Sequence, residues 1–215
     1  MIEAIVAAGA AQGNANDPTE DSPAGGGSGA PAYSAVRHRI EHAQLLHPDD
    51  FARMAQAGIT ASMQPVHCTS DMDMANLHWG EPRCEGAYGW RTMLDAGATL
   101  VLGSDAPVES LDVLTGIHAA VTRRRADGSP GPEGWHPEQR LSVAEAVYGY
   151  TQGAATAAGE ERFRGSITPG KLADLVVLSE DIFECPPMAI LDAQVDLTLF
   201  DGEVVYSRSG DGERE

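Results

Sequence analysis

Residues 99–109 read TLVLGSDAPVE. The apolar run Leu100-Val101-Leu102 stops at Gly103-Ser104, and a single carboxylate, Asp105, follows before Pro107. A short, wholly apolar run closed by a turn residue has the pattern of a strand buried on both faces of a parallel sheet. A carboxylate just past the C-terminal end of such a strand stands where α/β proteins keep their chemistry. Position alone leaves a second reading open, in which Asp105 merely caps the helix that starts next.

Working outward from this stretch, β/α alternation continues upstream to about residue 36. Residues 36–42, VRHRIEH, form a short strand that carries His38, Ile40 and His42 on one face, with Arg39 and Glu41 on the other. A helix over 50–57 is stopped by Gly58, and 59–63 is the next strand. Residues 64–85 read as an extended loop holding His67, Asp71, Asp73, His78, Trp79 and Arg83. A helix over 87–96, the strand at 99–102 and a helix over 113–125 follow. The run Arg123-Arg124-Arg125 reads as a solvated helix end that suits the helix dipole. Residues 127–137 are turn-rich, with Trp135 and His136 folded back onto the body. Ser142 and Glu145 form a capping box at the head of an alanine-rich helix to 158.

Beyond Gly159 the strands lose their intervening helices. Residues 175–178 are strongly apolar, and 195–200 and 203–207 flank Asp201-Gly202, a type I′ hairpin signal. Three strands alternating with helices, then several without them, make part of a parallel α/β array with an antiparallel satellite. Three βα units are too few to close a barrel. The division expected is a helix remnant and flexible loop over 1–33, α/β units over 34–160, the satellite over 161–208, and a disordered tail over 209–215.

Charge narrows the partners. The chain carries 32 acidic against 14 basic side chains, a formal charge of −18, and its only lysine is Lys171. No basic stripe exists to neutralise phosphates, which argues against DNA or RNA as a partner. Cys68, Cys84 and Cys185 are widely spaced without a CxxC, so neither a disulfide scaffold nor a thiolate zinc site is suggested. The apolar start, MIEAIVAAGAAQ, lacks a basic flank and is too short for a membrane span; a cytoplasmic protein is expected.

The strand tips gather the chemistry. Strand ends on one edge of a parallel sheet converge, so His42, His67 and Asp105 are expected to share a cleft. Imidazole and carboxylate suit a borderline divalent ion such as zinc, and Asp105 is equally suited to act as a base on a bound water. Arg83 and His67 are candidate substrate contacts, Arg83 for an anionic group. Dinucleotide and P-loop motifs are absent, as is GxSxG. Cys68 beside His67 imitates a nucleophile pair, but sequence neighbours seldom face each other correctly.

Six ordered motifs then point to a family. RIEHAQ at 39–44, ASMQPVH at 61–67, YGWRTMLDAGA at 88–98, GSDAPVESLD at 103–112, AAVTRR at 119–124 and GSITPGKLADLVVLSEDIF at 165–183 together resemble the metal-dependent amidohydrolase superfamily, and within it the YtcJ-like amidohydrolases. The resemblance implies a (β/α)8 TIM barrel with a β-sandwich satellite, here about the last three barrel strands and part of the satellite. It implies that His42 is the metal-ligand histidine at the end of the sixth strand. Asp105 would be the aspartate after the eighth, touching metal and taking the proton of the attacking water. The implied reaction is hydrolysis of amide or other non-peptide C–N bonds in a small molecule, and Lys171 would be structural.

The paired first-strand histidines of the family are missing, as are its mid-barrel bridging ligand and its strand-five histidine; His38-Arg39-Ile40 only approaches the first motif. Divalent metal, zinc by resemblance, is therefore expected to bind weakly or not at all to this chain alone. The expected partner is an N-terminal barrel segment, or a second copy. The alternative from a different class is a non-catalytic fragment or self-associating structural domain with an incomplete metal site.

Overall fold

A computed structural model describes residues 37–208. The helix and loop expected over 1–33 and the tail over 209–215 lie outside the described residues.

Three strands, β1 (Arg39–Glu41), β2 (Thr60–Met63) and β3 (Leu100–Leu102), form one parallel sheet in the order β1-β2-β3. Arg39 pairs with Thr60 and Ala61 with Leu100, so the three C-terminal ends are level. This sheet and its helices have the arrangement of a partial (β/α)8 barrel. β1 and β3 are its two edges among the described residues. β3 is buried along its whole length, as its unbroken apolar run requires.

Helix α1 (Pro48–Gln56) connects β1 to β2, with Phe51 and Met54 against the core, Pro48 in its first turn and acids at its N-terminal end. The stretch expected as a loop over 64–85 is instead helix α2 (Pro65–His78) followed by the single turn α3 (Glu81–Cys84). Pro65 begins α2 at the position where a proline costs no hydrogen bond. Pro65, Val66, His67, Cys68 and Thr69 are buried in succession, so the first turns of α2 touch protein on every side and show no amphipathic period. Helix α4 (Trp90–Asp95) leads into β3.

Helix α5 (Val113–Thr122) starts at the residue expected from the sequence and ends three residues earlier. Its N-cap is Asp112, whose carboxylate accepts from the Leu114 amide at 3.0 Å. The capping reading of Asp105 is thereby removed. The chain then turns through Pro137–Gln139, a 3-10 segment, into α6 (Val143–Tyr148), capped by Ser142 and Glu145 as the sequence indicates. The helix expected to run unbroken to 158 holds a π segment, Gly149–Gly153, before α7 (Ala154–Ala158). Two glycines explain the bulge. A Cβ on Gly153 would stand 2.6 Å from the carbonyl oxygen of Leu100, and one on Gly149 would stand 2.7 Å from Leu102 Cγ. The wide turn therefore rests directly on β3.

Arg123 is a second correction. The residue is 0 % exposed, and its backbone takes the left-handed conformation (φ 53°) that ends α5. Its guanidinium lies 4.6 Å from the Trp90 ring centroid and 5.3 Å from that of Trp135. It donates to the carbonyls of Tyr88 (2.9 Å), Ala87 (3.3 Å) and Trp135. A guanidinium with five donors, set against two indoles, reaches three loop carbonyls, of which that of Tyr88 also accepts from the Trp90 amide at 3.0 Å.

The satellite is an antiparallel sheet, β4 (Leu175–Leu178), β5 (Val195–Phe200) and β6 (Glu203–Ser207), in the order β4-β5-β6. Asp201 (φ 51°) and Gly202 (φ 84°) both take the positive φ that a type I′ hairpin demands. Lys171 precedes β4, its ammonium donating to Ser166 Oγ (2.7 Å) and the Arg164 carbonyl (3.3 Å). Among the described residues, no helix is long and apolar enough to cross a membrane.

Candidate metal centre

The level C-terminal ends of β1, β2 and β3 deliver the site. His42 follows β1 directly, Gln64 follows β2 with His67 one turn into α2, and Asp105 lies three residues past β3. His42 and Asp105 have φ values of 67° and 56°. Left-handed backbone at a non-glycine residue is uncommon, and such strain collects where function requires it.

One ligand atom each from His42, His67 and Asp105 lies within 4.8 Å of the other two. The imidazole rings of His42 and His67 have centroids 5.8 Å apart and are tilted by 42°. His67 Nε2 stands 3.3 Å from Asp105 Oδ2, and its Nδ1 stands 3.4 Å from Glu109 Oε1. His42 Nδ1 is 2.9 Å from Gln64 Oε1. The His67 side chain is 8 % exposed and that of Asp105 38 %, so the pair spans the boundary between core and solvent.

Two imidazoles and one carboxylate are a donor set that suits a borderline divalent ion and leaves a position open for water. The His67–Asp105 separation has the right size. Two ligand atoms each about 2.0–2.1 Å from a tetrahedral ion stand about 3.3–3.4 Å apart. His67, considered from sequence as a substrate contact, is thus brought into the same group as the two residues proposed for metal. Arg83 lies on α3 and is exposed. His38 and His47 are exposed.

Other polar residues behave as structure. Cys68 is 0 % exposed, and burial pushes its thiol up to about 11, which removes the Cys/His nucleophile reading. Tyr88 donates to Asp71 Oδ2 at 2.7 Å, and burial raises its hydroxyl well above the usual phenol range. His118 is enclosed between Thr122 and Met188, and burial lowers its pKa to about 4. All three cysteines are free. Sequence reasoning passed over Gln64 and Glu109. The available signals were a polar side chain directly after the end of β2, and a second carboxylate one short turn past Asp105.

A parallel α/β sheet with two histidines and an aspartate at its C-terminal edge defines the class: a metal-dependent hydrolase fold with a candidate three-ligand metal site. Residues 26–206 match the model of the Amidohydrolase family. The chain belongs to that family. It is 35% identical to the "Putative amidohydrolase YtcJ" of Bacillus subtilis (strain 168) over 179 residues, 83% of this chain and 34% of the relative. It is 32% identical to the "N-substituted formamide deformylase" of Arthrobacter pascens, again over 83% of this chain and 34% of the relative. The chain thus spans about a third of the length of these curated relatives. Among solved structures, an uncharacterized metal-dependent hydrolase from Pyrococcus horikoshii OT3 superposes with a TM-score of 0.56 at 28% identity, covering 62% of this chain and 26% of that one. Escherichia coli guanine deaminase superposes at 0.59 over 81% of this chain and 41% of its own, and at 18% identity it speaks for the fold alone.

Proposed function

We propose that this chain is the C-terminal part of a metal-dependent hydrolase acting on amide or related non-peptide C–N bonds, with His42, His67 and Asp105 as its share of the metal site. The gathering of those three side chains at one sheet edge carries this reading. The kinship with a relative named for deformylation of N-substituted formamides supports a small N-acyl substrate. An ion held here, zinc in this proposal, would lower the pKa of a bound water and polarise the scissile carbonyl. The chain's own contribution is geometric and protonic. Asp105 keeps Oδ2 toward His67 Nε2. Its second oxygen takes the proton of the attacking water and returns it to the departing nitrogen. Arg83 is proposed as a contact for an anionic part of the substrate, at the surface of α3. The remaining ligands would come from an N-terminal barrel segment, so this chain alone holds the ion weakly.

The test is calorimetric titration of zinc into the chain and into its His42→Gln and Asp105→Asn variants. Weak, one-to-one binding that both substitutions reduce at least tenfold is expected, together with zinc-dependent formate release from an N-substituted formamide once the N-terminal segment is supplied. Zinc binding indifferent to both substitutions would refute the assignment. A stable dimer with no zinc binding would favour a structural, self-associating domain instead, a reading to which the exposed apolar side chains Phe200, Val204 and Val205 of the satellite lend themselves.

A further inference from the structure

Gln64 and Glu109 belong to no part of the proposed reaction, yet each meets one of the two histidines at Nδ1. Gln64 is 6 % exposed and follows β2 directly, so its amide is held between strand and helix. An amide oxygen can only accept, so the 2.9 Å contact from Gln64 Oε1 requires a proton on His42 Nδ1. That leaves Nε2 of His42 as its free nitrogen donor. His67 is placed differently: a carboxylate oxygen stands at each ring nitrogen, Glu109 Oε1 3.4 Å from Nδ1 and Asp105 Oδ2 3.3 Å from Nε2, so its contacts favour neither tautomer.

We propose that Gln64 is a positioning residue that holds His42 as its Nδ1–H tautomer, so that Nε2 of that ring is presented bare to the ion. The inference rests on the metal-site reading above. Partners of this kind fix ring orientation and raise ligand basicity, and their loss typically lowers metal affinity about 10–100-fold. A histidine side chain in water favours the opposite tautomer, with the proton on Nε2, which is the arrangement a ring without such a partner would resume.

The experiment reads the tautomers directly, by nitrogen-15 NMR of the histidine-labelled, metal-free 215-residue chain at pH 8. The His42 signals are assigned by their loss in His42→Gln, and that ring is expected as Nδ1–H in the parent chain. Gln64→Leu should convert it to Nε2–H, and cobalt(II) titration should show the same substitution weakening binding about 10–100-fold. Gln64→Glu keeps an acceptor in place and should preserve the tautomer, which guards against a Leu variant that folds poorly. An Nε2–H ring at His42 in the parent chain overturns the proposal without any variant. Cobalt binding that ignores Gln64→Leu also overturns it while leaving the metal site standing. A tautomer that responds as described in a chain with no cobalt affinity sustains the positioning and refutes the metal site.

Discussion

Asp105 and Arg123 show how much one residue does here, one by its exposure and the other by its burial. Asp105 sits in the left-handed region with a partly exposed side chain. Asn tolerates that backbone as well as Asp does. Asp105→Asn is therefore expected to leave the unfolding midpoint within about 0.5 kcal/mol of the parent while metal affinity falls, a separation that urea denaturation and zinc titration check together. Arg123 is the reverse case. Removing its guanidinium leaves the carbonyls of Ala87 and Trp135 without that donor, while the Tyr88 carbonyl keeps the Trp90 amide. Arg123→Met is expected to cost about 3–5 kcal/mol in urea denaturation. Arg123→Lys should rescue little, since an ammonium can neither fork to three carbonyls nor stack between two indoles.

At the scale of elements, the tight seams are α5 against the 3-10 segment Pro187–Asp192 and the π segment against β3. His118 lies in the first seam, 1 % exposed, with Nε2 3.2 Å from Met188 Sδ. Burial holds its pKa at about 4, below the ordinary 6.5, so the folded chain binds fewer protons than the unfolded chain between those values. Stability should rise with pH across that window and be lost as pH falls from 6.5 toward 4, by at most about 3 kcal/mol from this one group. His118→Gln should flatten that part of the stability–pH curve in denaturation experiments. In the second seam, Gly153→Ala drives a methyl to 2.6 Å from the Leu100 carbonyl. A loss of about 1–3 kcal/mol is expected by thermal or urea unfolding, with β3 and Asp105 beyond it disturbed as well.

Much of the architecture was legible because its signals are local. β3 announced itself as an unbroken apolar run, the capping box as Ser142 and Glu145, and the satellite hairpin as Asp201-Gly202. The convergence of His42, His67 and Asp105 was legible too, since parallel strands must align their ends. Helix α2 was not, because its first turns are buried all round and its polar residues break any helical period. Arg123 was misread as solvated because charge alone cannot show the two indoles and three carbonyls waiting for it. Gln64 and Glu109 escaped notice because nothing in a sequence states which imidazole nitrogen a neighbour will meet.

On the scale of the whole molecule, three parallel strands present two imidazoles and a carboxylate from a common edge, and β4, β5 and β6 form a second, antiparallel sheet. An edge strand with unpaired backbone invites another strand. Among the described residues β1 and β3 are the two edges, and the proposed N-terminal barrel segment would pair there and complete the site from the same direction. The most direct test of the account is a zinc-edge anomalous difference map from crystals of the chain grown with excess zinc. A peak is expected about 2.1 Å from His42 Nε2, His67 Nε2 and an Asp105 carboxylate oxygen. A map with zinc bound only elsewhere, and His67 still bonded to Asp105 with nothing between them, would contradict it.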